Sequence, residues 1–283
     1  MCFMSWKSCS TVEHSFMPVF LPINTGCRRC AVSMQQCRHV ANTHASDDRR
    51  EGMAGAAAER DFTRHQVVVF DWDGTIADSV AQVVQAIRKS AESLGLTPPE
   101  ADAIRPLVGL GMSEILQRIV PDFPAVRHAE FLDAYRRHYF GCRQRTDIPF
   151  EGIETLLQAL AAAGRRLAVA TGKSCAGLER ALQSTGLGRF IEATRCAEEG
   201  VSKPDPWMLR SLADELDVPP AQMVMVGDSI FDIDMAEAFG CDSIGVYYDT
   251  GSPALLQRSR PTALAGSVPE LTALLGVHQP AAR

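Results

Sequence analysis

The chain has 283 residues, of which 46% are hydrophobic, so it is long and apolar enough to bury the core of a globular protein. Its net charge of −6 excludes the basic surface that nucleic-acid-binding proteins present, and no apolar run approaches the length of a membrane span. We therefore expect neither a nucleic acid nor a membrane among its partners.

The first sixty residues differ in composition from the rest. They hold five of the nine cysteines and carry a net charge of +2, against −8 for the remainder, and no helical or strand period persists through them. Cys27 and Cys30 invite a zinc-binding interpretation, but the spacing provides no second recognisable pair. We expect residues 1–60 to form a disordered extension, with Met53 as a candidate for the true start. Unpaired cysteines and the lack of a convincing signal peptide favour a reducing, cytoplasmic location.

The run Val67–Phe70 predicts the first strand. Its four apolar residues lack the polar alternation of a half-buried strand, so the run suits a parallel strand that is buried on both faces. Asp71 and Asp73 follow directly, at the end where open α/β sheets bind their ligands. Two carboxylates this close repel one another unless a positive group or a shared proton lies between them, so the pair predicts a functional site. The alternative is a surface turn, in which Asp and Gly are common.

Residues 81–145 have the pattern of a small domain made only of helices. Apolar side chains keep helical spacing, and glycine and proline residues end the first helical segment. Helices are predicted at 80–94, 113–120 and 125–141. The segment has no catalytic motif of its own, so we expect its apolar residues to serve packing.

From Ile148 onwards, apolar strands alternate with helices. Strands are predicted at 167–170, 191–194, 223–226 and 243–246, and helices at 154–163, 175–185, 207–216, 232–238 and near 271–275. This alternation is typical of a parallel sheet joined by right-handed crossovers. We predict an α/β fold in which residues 61–80 and 146–277 form a Rossmann-like parallel sheet core and residues 81–145 form an inserted α-helical cap domain.

A second acidic cluster follows the strand at 223–226. Gly227 and Asp228 come at the strand end, so Asp228 can meet Asp71 across the sheet. Asp232 opens the next helix, where an acid is also expected as a helix cap or as a partner of the helix dipole. Converging carboxylates with no sulfur or imidazole nearby suit a hard cation, Mg²⁺ above all.

Two further residues have both a functional and a structural interpretation. Thr171 ends the strand at 167–170 and could donate a hydrogen bond to a phosphoryl oxygen at the head of the following helix, or simply cap that helix. Lys203 lies in a loop that is stiffened by two prolines, and taken alone it would be a solvated charge. These two positions gain weight only in combination with the carboxylates.

Together, the four segments resemble the haloacid dehalogenase superfamily on its phosphatase side, over roughly residues 66–245. The family's four motifs stand here, in order, as Asp71 to Thr75, Thr171, Lys203 with Pro204, and Gly227-Asp228 to Asp232. Each motif is short, but the ordered set with family-like spacing is specific. The insertion between the first two motifs resembles the helical cap of the phosphoglycolate phosphatase-like group.

The resemblance implies a Mg²⁺-dependent phosphatase that acts on a small phosphorylated metabolite, such as phosphoglycolate or a sugar phosphate. Asp71 would attack phosphorus and form an aspartyl-phosphate, which splits one hard step into two. Asp73 would protonate the leaving alcohol and then activate the hydrolytic water. Mg²⁺ would be held by Asp71, Asp228 and the Asp73 backbone carbonyl, while Asp232 would orient a metal-bound water or Lys203.

The resemblance also implies the substrate contacts. Thr171 and Lys203 would hold the phosphoryl oxygens, with Gly172 beside them. Arg105 and Gly109 lie in the first turn between cap helices, which relatives use to touch substrate; the alternative is a glycine turn with a surface arginine. The substrate itself and the oligomeric state stay open.

Three other functions compete with the phosphatase. A dehalogenase would lack Asp73, because a leaving halide needs no proton. A sugar phosphomutase of the same cap type remains an alternative. A non-catalytic binding module that keeps the fold is the third, although a retired site would have no use for this set of acids.

Overall fold

The computed structural model describes residues 61–141, 147–248 and 252–277, and the structural statements that follow concern these residues. The predicted extension, with its cysteine pair and candidate start, lies outside them.

One parallel sheet forms the centre of the described chain. Its strands are β1 (Val67–Phe70), β2 (Arg166–Ala170), β3 (Ala193–Arg195), β4 (Met223–Gly227), β5 (Asp242–Val246) and β6 (Ala263–Ala265). Their order is β3-β2-β1-β4-β5-β6, and every neighbouring pair is parallel. The predicted α/β fold with a Rossmann-like parallel sheet is therefore confirmed.

Helices cover the sheet and build the insertion. They are α1 (Val80–Ser93), α2 (Ala101–Ile104), α3 (Met112–Ile119), α4 (His128–Phe140), α5 (Ile153–Ala162), α6 (Cys175–Thr185), α7 (Trp207–Leu216), α8 (Ile230–Phe239), α9 (Pro253–Leu256) and α10 (Val268–Leu274). In the described chain, none of them is long and apolar enough to cross a membrane.

The apolar run of β1 is buried on both faces. Val68 and Phe70 belong to one apolar layer with residues of α5 and α10, whereas Val67 and Val69 belong to the opposite layer with residues of α7 and α8. Successive side chains of a strand point to opposite faces. A strand covered by helices on both sides therefore needs apolar residues at every position, which explains the unbroken run.

The cap, here the helices α1 to α4, has an apolar core of its own. Ile87 of α1, Leu116 of α3 and Phe131 of α4 are fully buried and belong to one cluster. The predicted third helix, 125–141, begins with the tight turn Ala125–Arg127, a 3₁₀ segment of the kind common at helix starts, before α4.

The two connections between sheet and cap run side by side. The amide of Asp78 donates to the carbonyl of Ile148 (2.8 Å), and the amide of Phe150 donates to the carbonyl of Ile76 (3.0 Å). These connections lie close to the predicted cap limits, 81 and 145. The domain limits themselves stay predictions.

The short elements departed most from the sequence prediction. The strand predicted at 191–194 is β3, which starts two residues later, after the 3₁₀ turn Leu187–Phe190. The sequence analysis did not foresee β6, α2 or α9. Elements of three or four residues are too short to show a hydrophobic period, which is the signal that found the longer ones.

Candidate active site

The register of the three central strands brings their carboxyl ends level. Phe70 pairs with Val169 of β2 and with Val226 of β4, so the residues that follow emerge at one edge of the sheet. The amide of Asp71 donates to the carbonyl of Val226 (2.9 Å). Asp71, Thr171 and Asp228 are thus brought to the same edge, where doubly wound sheets bind ligands.

Lys203 is buried between two carboxylates. Its Nζ lies 2.9 Å from Oδ1 of Asp71 and 2.6 Å from Oδ1 of Asp232, and all three side chains are inaccessible to solvent. Lysine is almost never buried unless it is paired. Taken alone, Lys203 looked like a solvated loop residue. In the structure it is buried inside the acidic cluster.

Both oxygens of Asp232 are occupied by protein groups. Oδ1 accepts from Lys203, and Oδ2 accepts from the amide (3.1 Å) and the hydroxyl (2.6 Å) of Ser229. The contacts with Ser229 also cap α8, so the two interpretations of Asp232 hold together. Asp232 thereby fixes the position of Lys203 rather than offering a free oxygen to a ligand.

Burial sets the proton affinities in this cluster. It raises the pKa of Asp71 to about 7, against the opposing effect of Lys203. It also raises the pKa of Asp228 well above the ordinary value, and the charge of Asp71 adds to that. Burial alone would lower the pKa of Lys203, but Asp232 and Asp71 raise it. The single positive charge of Lys203 is therefore not enough to keep the pKa values of Asp71 and Asp228 at their ordinary level.

The cluster fits a hard divalent cation. Asp71, Asp228 and Asp232 have one oxygen each within 4.8 Å of the others, and both oxygens of Asp232 already accept from Lys203 and Ser229. Both oxygens of Asp71 are buried and have no hydrogen-bond partner among the described residues, although Oδ1 is ion-paired with Lys203, and this is costly unless something binds them. An all-oxygen donor set is what Mg²⁺ prefers. The residues present thus fit the predicted magnesium ion.

The turn after β1 keeps Asp228 close to that cluster. Gly74 has a φ of +81°, and a Cβ at this position would clash with the carboxylate of Asp228. Only glycine combines this conformation with this close approach. The neighbouring Thr75 donates its hydroxyl to Oδ1 of Asp228 (3.2 Å). Gly74 and Thr75 of the first motif therefore help to determine the position of Asp228 in the fourth.

Asp73 has a separate set of partners. The hydroxyl of Ser79 donates to its Oδ1 (2.5 Å), and Nζ of Lys173 lies 2.8 Å from the same oxygen. The side chain of Asp73 is 10% exposed and lines a cavity between the sheet edge and the cap. Its Oδ2 receives neither of these two donors.

Lys173 is the residue that the sequence analysis missed. It follows β2, two positions beyond Thr171, and nothing else in the sequence marks it as part of the site. In the structure its Nζ also lies 2.9 Å from Oδ1 of Asp147, and it donates to the hydroxyl of Tyr139 (3.2 Å). Burial lowers its pKa, but Asp73 and its other neighbours raise that pKa well above the ordinary value. The proximity to Thr171 was the one available signal.

The cavity beside Asp73 has a volume of 380 Å³. Gly109 of the cap and Gly172, which follows β2, both line it; their contact with a substrate stays a prediction. A Cβ on Gly172 would lie 2.5 Å from the carbonyl oxygens of Gly109 and Leu110, so the two loops meet backbone to backbone. Arg105 is half-buried and does not line the cavity, whereas Arg136 of α4 does.

Thr171 is buried beside the same edge. Its Oγ1 accepts a hydrogen bond from the amide of Lys173 (3.2 Å), and its own amide donates to the carbonyl of Arg195 (2.9 Å). Ser174, not Thr171, caps α6. The structural alternative for Thr171, a helix cap, is therefore wrong.

Paired acids and a buried lysine lie together at the carboxyl edge of the parallel sheet, which is where α/β proteins of this class bind their ligands. Residues 68–246 match the family model described as haloacid dehalogenase-like hydrolase. The chain belongs to this family, which confirms the resemblance seen in its motifs.

Similar proteins carry two different names. Phosphoglycolate phosphatase of Neisseria meningitidis is 33% identical over 215 residues, which cover 73% of this chain and 92% of that protein. Tyrosine-protein kinase PtkA of Mycobacterium tuberculosis is also 33% identical over 215 residues, covering 75% of this chain and 73% of that one. Among solved structures, a hydrolase from Pseudomonas syringae superposes with a TM-score of 0.67 at 19% identity and covers 74% of this chain and 97% of its own.

Proposed function

We propose that this protein is a Mg²⁺-dependent phosphatase that hydrolyses a small phosphomonoester through an aspartyl-phosphate. The family is one of hydrolases, and the relative from Neisseria is a phosphoglycolate phosphatase. The observation that carries the proposal is Asp71, which is fully buried directly after β1 and whose Oδ2 has neither a hydrogen-bond nor an ion-pair partner in the described chain.

Asp71 is the proposed nucleophile. Its Oδ1 is held by Lys203, which leaves Oδ2 to attack phosphorus. A carboxylate that forms a covalent phosphoenzyme divides the reaction into two easier displacements. Asp71, Asp228 and the backbone carbonyl of Asp73 would hold Mg²⁺, which would supply positive charge between the carboxylate and the phosphate dianion.

Asp73 is the proposed acid and base. Ser79 and Lys173 both bind its Oδ1, so the free Oδ2 is the atom that gives a proton to the leaving alcohol and later takes one from water. The carboxylate borders the cavity in which the leaving group would lie.

Lys203 and Thr171 are the proposed phosphoryl-binding groups. A lysine ammonium has three N–H donors. Two of them face Asp71 and Asp232, so the last is available to a phosphoryl oxygen. The hydroxyl of Thr171 donates to another oxygen. Both groups are buried and already in position, which is the condition for strong electrostatic stabilisation of the transition state.

The cavity limits the substrate to a small molecule. Its 380 Å³ lies at the low end of the volumes of ligand pockets and suits a phosphorylated metabolite of a few carbon atoms. Phosphoglycolate and sugar phosphates are the proposed substrate classes. A cytoplasmic location stays a prediction from the sequence.

The test is phosphate release from a panel of phosphomonoesters by the full chain, with Mg²⁺ and with a chelator. Asp71→Asn should abolish release while the protein stays folded, because the substitution removes the nucleophile and relieves like charges. The matched control is Asp78→Asn, since Asp78 is exposed and lies outside the acidic cluster. Hydrolysis by Asp71→Asn at the wild-type rate would reject the nucleophile.

The same reactions separate the alternatives. A phosphomutase would convert a sugar phosphate into its isomer without net release of phosphate. A non-catalytic binding module would bind phosphomonoesters and leave them unchanged. A protein tyrosine kinase, the activity in the name of the mycobacterial relative, would move phosphate from ATP to tyrosine. Analysis of the phosphorylated products distinguishes all three from hydrolysis.

A further inference from the structure

We propose that Lys173 is a positioning residue that ties the Asp73 carboxylate to the cap, so that the place of the cap decides how Asp73 is held. The proposal rests on the proposed role of Asp73 as acid and base. It concerns three residues outside the family motifs quoted above: Lys173, Asp147 and Tyr139. We call these three the lysine bridge.

The centre of the lysine bridge is the ammonium group of Lys173. It lies 2.8 Å from Asp73 and 2.9 Å from Asp147, and its side chain is only 8% exposed. An ammonium group shared by two nearly buried carboxylates is held far more firmly than a surface ion pair. Lys173 is therefore a fixed group, and not a mobile arm that is free to follow a substrate.

Asp147 lies on the connection by which the chain returns from the cap to the sheet. Only 2% of its surface is exposed, and its φ of +58° is unusual for a residue other than glycine. Its Oδ1 accepts from the indole N–H of Trp72 (3.1 Å) and from the hydroxyl of Tyr139 (3.2 Å). Trp72 stands between Asp71 and Asp73, so the return connection contacts the first motif directly.

Tyr139 supplies the link to the cap itself. It lies in the last turn of α4, and its hydroxyl contacts both Lys173 and Asp147. Nζ of Lys173 also lies 4.9 Å from the centre of the Tyr139 ring, within the range of a cation–π interaction. A shift of α4 relative to the sheet would have to break or carry these contacts.

The outward connection contacts the same carboxylate from the other side. Ser79, the residue before α1, donates to Oδ1 of Asp73. Both connections between sheet and cap thus hold Oδ1 of Asp73. Ser79 on the outward connection contacts it directly, whereas Asp147 on the return connection acts through Lys173. With the cap in this position Oδ1 is held and Oδ2 is free. If the cap moves away, the donors on Oδ1 change, and Asp73 loses the orientation that acid catalysis requires.

The test compares Lys173→Met with Lys89→Met in the full chain. Lys89 is an exposed lysine of α1 and is the matched control. We expect kcat/KM for an alkyl phosphate, whose leaving alkoxide needs a proton, to fall by about 10² or more in Lys173→Met. For p-nitrophenyl phosphate, whose leaving group needs little help, the fall should be less than about tenfold. Lys89→Met should match the wild type on both substrates.

A direct substrate contact would produce a different pattern. If Lys173 bound the substrate, its loss would raise KM for both phosphates alike and leave kcat nearly unchanged. That result would overturn the positioning role. An equal fall of kcat/KM for the alkyl and the aryl phosphate would overturn it as well.

Tyr139→Phe keeps the test decisive if Lys173→Met does not fold. The substitution removes only the hydroxyl that contacts Lys173 and Asp147 and retains the ring. Tyr247→Phe is its control, because Tyr247 follows β5 and lies outside both the cavity lining and the lysine bridge. The alkyl-selective loss should appear in Tyr139→Phe and be absent from Tyr247→Phe; equal behaviour of the two variants would overturn the proposal.

A crystal structure of Lys173→Met, or of Tyr139→Phe if that variant alone folds, separates this inference from the proposed function. We expect the Asp73 carboxylate to leave its present orientation, because Lys173→Met removes one of the two donors on its Oδ1 and Tyr139→Phe removes a contact that holds Lys173 in place. An unchanged Asp73 would overturn the positioning role. If the wild type hydrolyses no phosphomonoester, the proposed function fails, and the position of Asp73 in this structure decides the inference alone.

Discussion

The ammonium group of Lys203 lies 2.9 Å from the carboxylate of Asp71, and neither side chain is exposed to solvent. The same ammonium group also contacts the carboxylate of Asp232. A buried ion pair of this kind is weak evidence for a stabilising design, because removing two charges from water is expensive. It is better explained by the need for a positive group at the point where a phosphoryl group would bind.

Lys203→Met should destabilise the protein and abolish turnover. The substitution leaves the carboxylates of Asp71 and Asp232 buried without their common partner. Breaking a buried pair from one side typically costs about 3–5 kcal/mol. Urea unfolding measures the loss, and Lys89→Met serves as the control. A Lys203→Met protein as stable as the wild type would contradict the buried pair.

Asp73→Asn should let the aspartyl-phosphate form more readily than it is hydrolysed. An amide cannot activate the hydrolytic water, whereas a good leaving group such as p-nitrophenolate departs without a proton. Loss of one proton-transfer group lowers the rate by about 10²–10⁴. Rapid acid quenching and intact mass measurement should trap the phosphorylated chain. Near wild-type hydrolysis with no trapped species would show that Asp73 has another role.

The pKa of Asp71, raised by burial to about 7 from its ordinary 3.8, predicts a pH dependence of the metal-free protein. Between these two values the native state keeps a proton that the unfolded state has lost. The free energy of unfolding should therefore fall as the pH rises through this window, and this contribution is fully present only below it. Chemical denaturation in the presence of a chelator measures the trend.

Magnesium binding should show the opposite trend, because the ion requires the ionised carboxylate. Its affinity should rise with pH as Asp71 and Asp228, whose pKa values burial raises, lose their protons. Calorimetric titration at about pH 5.5 and about pH 8 measures it, with Asp78→Asn as the control. An affinity that does not change with pH would contradict a protonated Asp71 in the metal-free protein.

Gly74→Ala should remove magnesium binding, while Gly95→Ala should not. Both glycines have a positive φ, +81° and +73°, so both substitutions cost about 1–2 kcal/mol of backbone strain. Only the Cβ at Gly74 would clash with Asp228; at Gly95 it would meet nothing within 4 Å. The difference between the two variants in magnesium affinity isolates the clash from the strain, and equal affinities would refute it.

Arg136→Ala and Arg105→Ala together test which arginine contacts the substrate. The sequence predicts Arg105, but Arg136 lines the cavity and Arg105 does not. We expect Arg136→Ala to raise KM for an anionic substrate such as phosphoglycolate by about tenfold, the loss of one charge-assisted hydrogen bond. Turnover of p-nitrophenyl phosphate should change little. A larger effect from Arg105→Ala would restore the sequence prediction.

The sequence by itself was sufficient for strands β1, β2, β4 and β5 and for the acids that follow them. The run Val67–Phe70 is apolar at every position because both faces of the strand are covered, and this pattern is local in the chain. Asp71 and Asp228 could be placed together because the carboxyl ends of parallel strands share an edge. The long helices could also be predicted from a local pattern, because the apolar face of a helix repeats every turn.

Tertiary structure alone decided the surroundings of those acids. Lys173 is 100 residues from Asp73 and 34 from Tyr139 in the chain, and no period or motif joins them. The site of Lys203 likewise depends on Asp71 from a distant strand, and without that partner the residue looks like a solvated charge. The position and burial of a strand follow from short-range patterns, whereas a buried ion pair depends on which distant side chains the folded chain brings together.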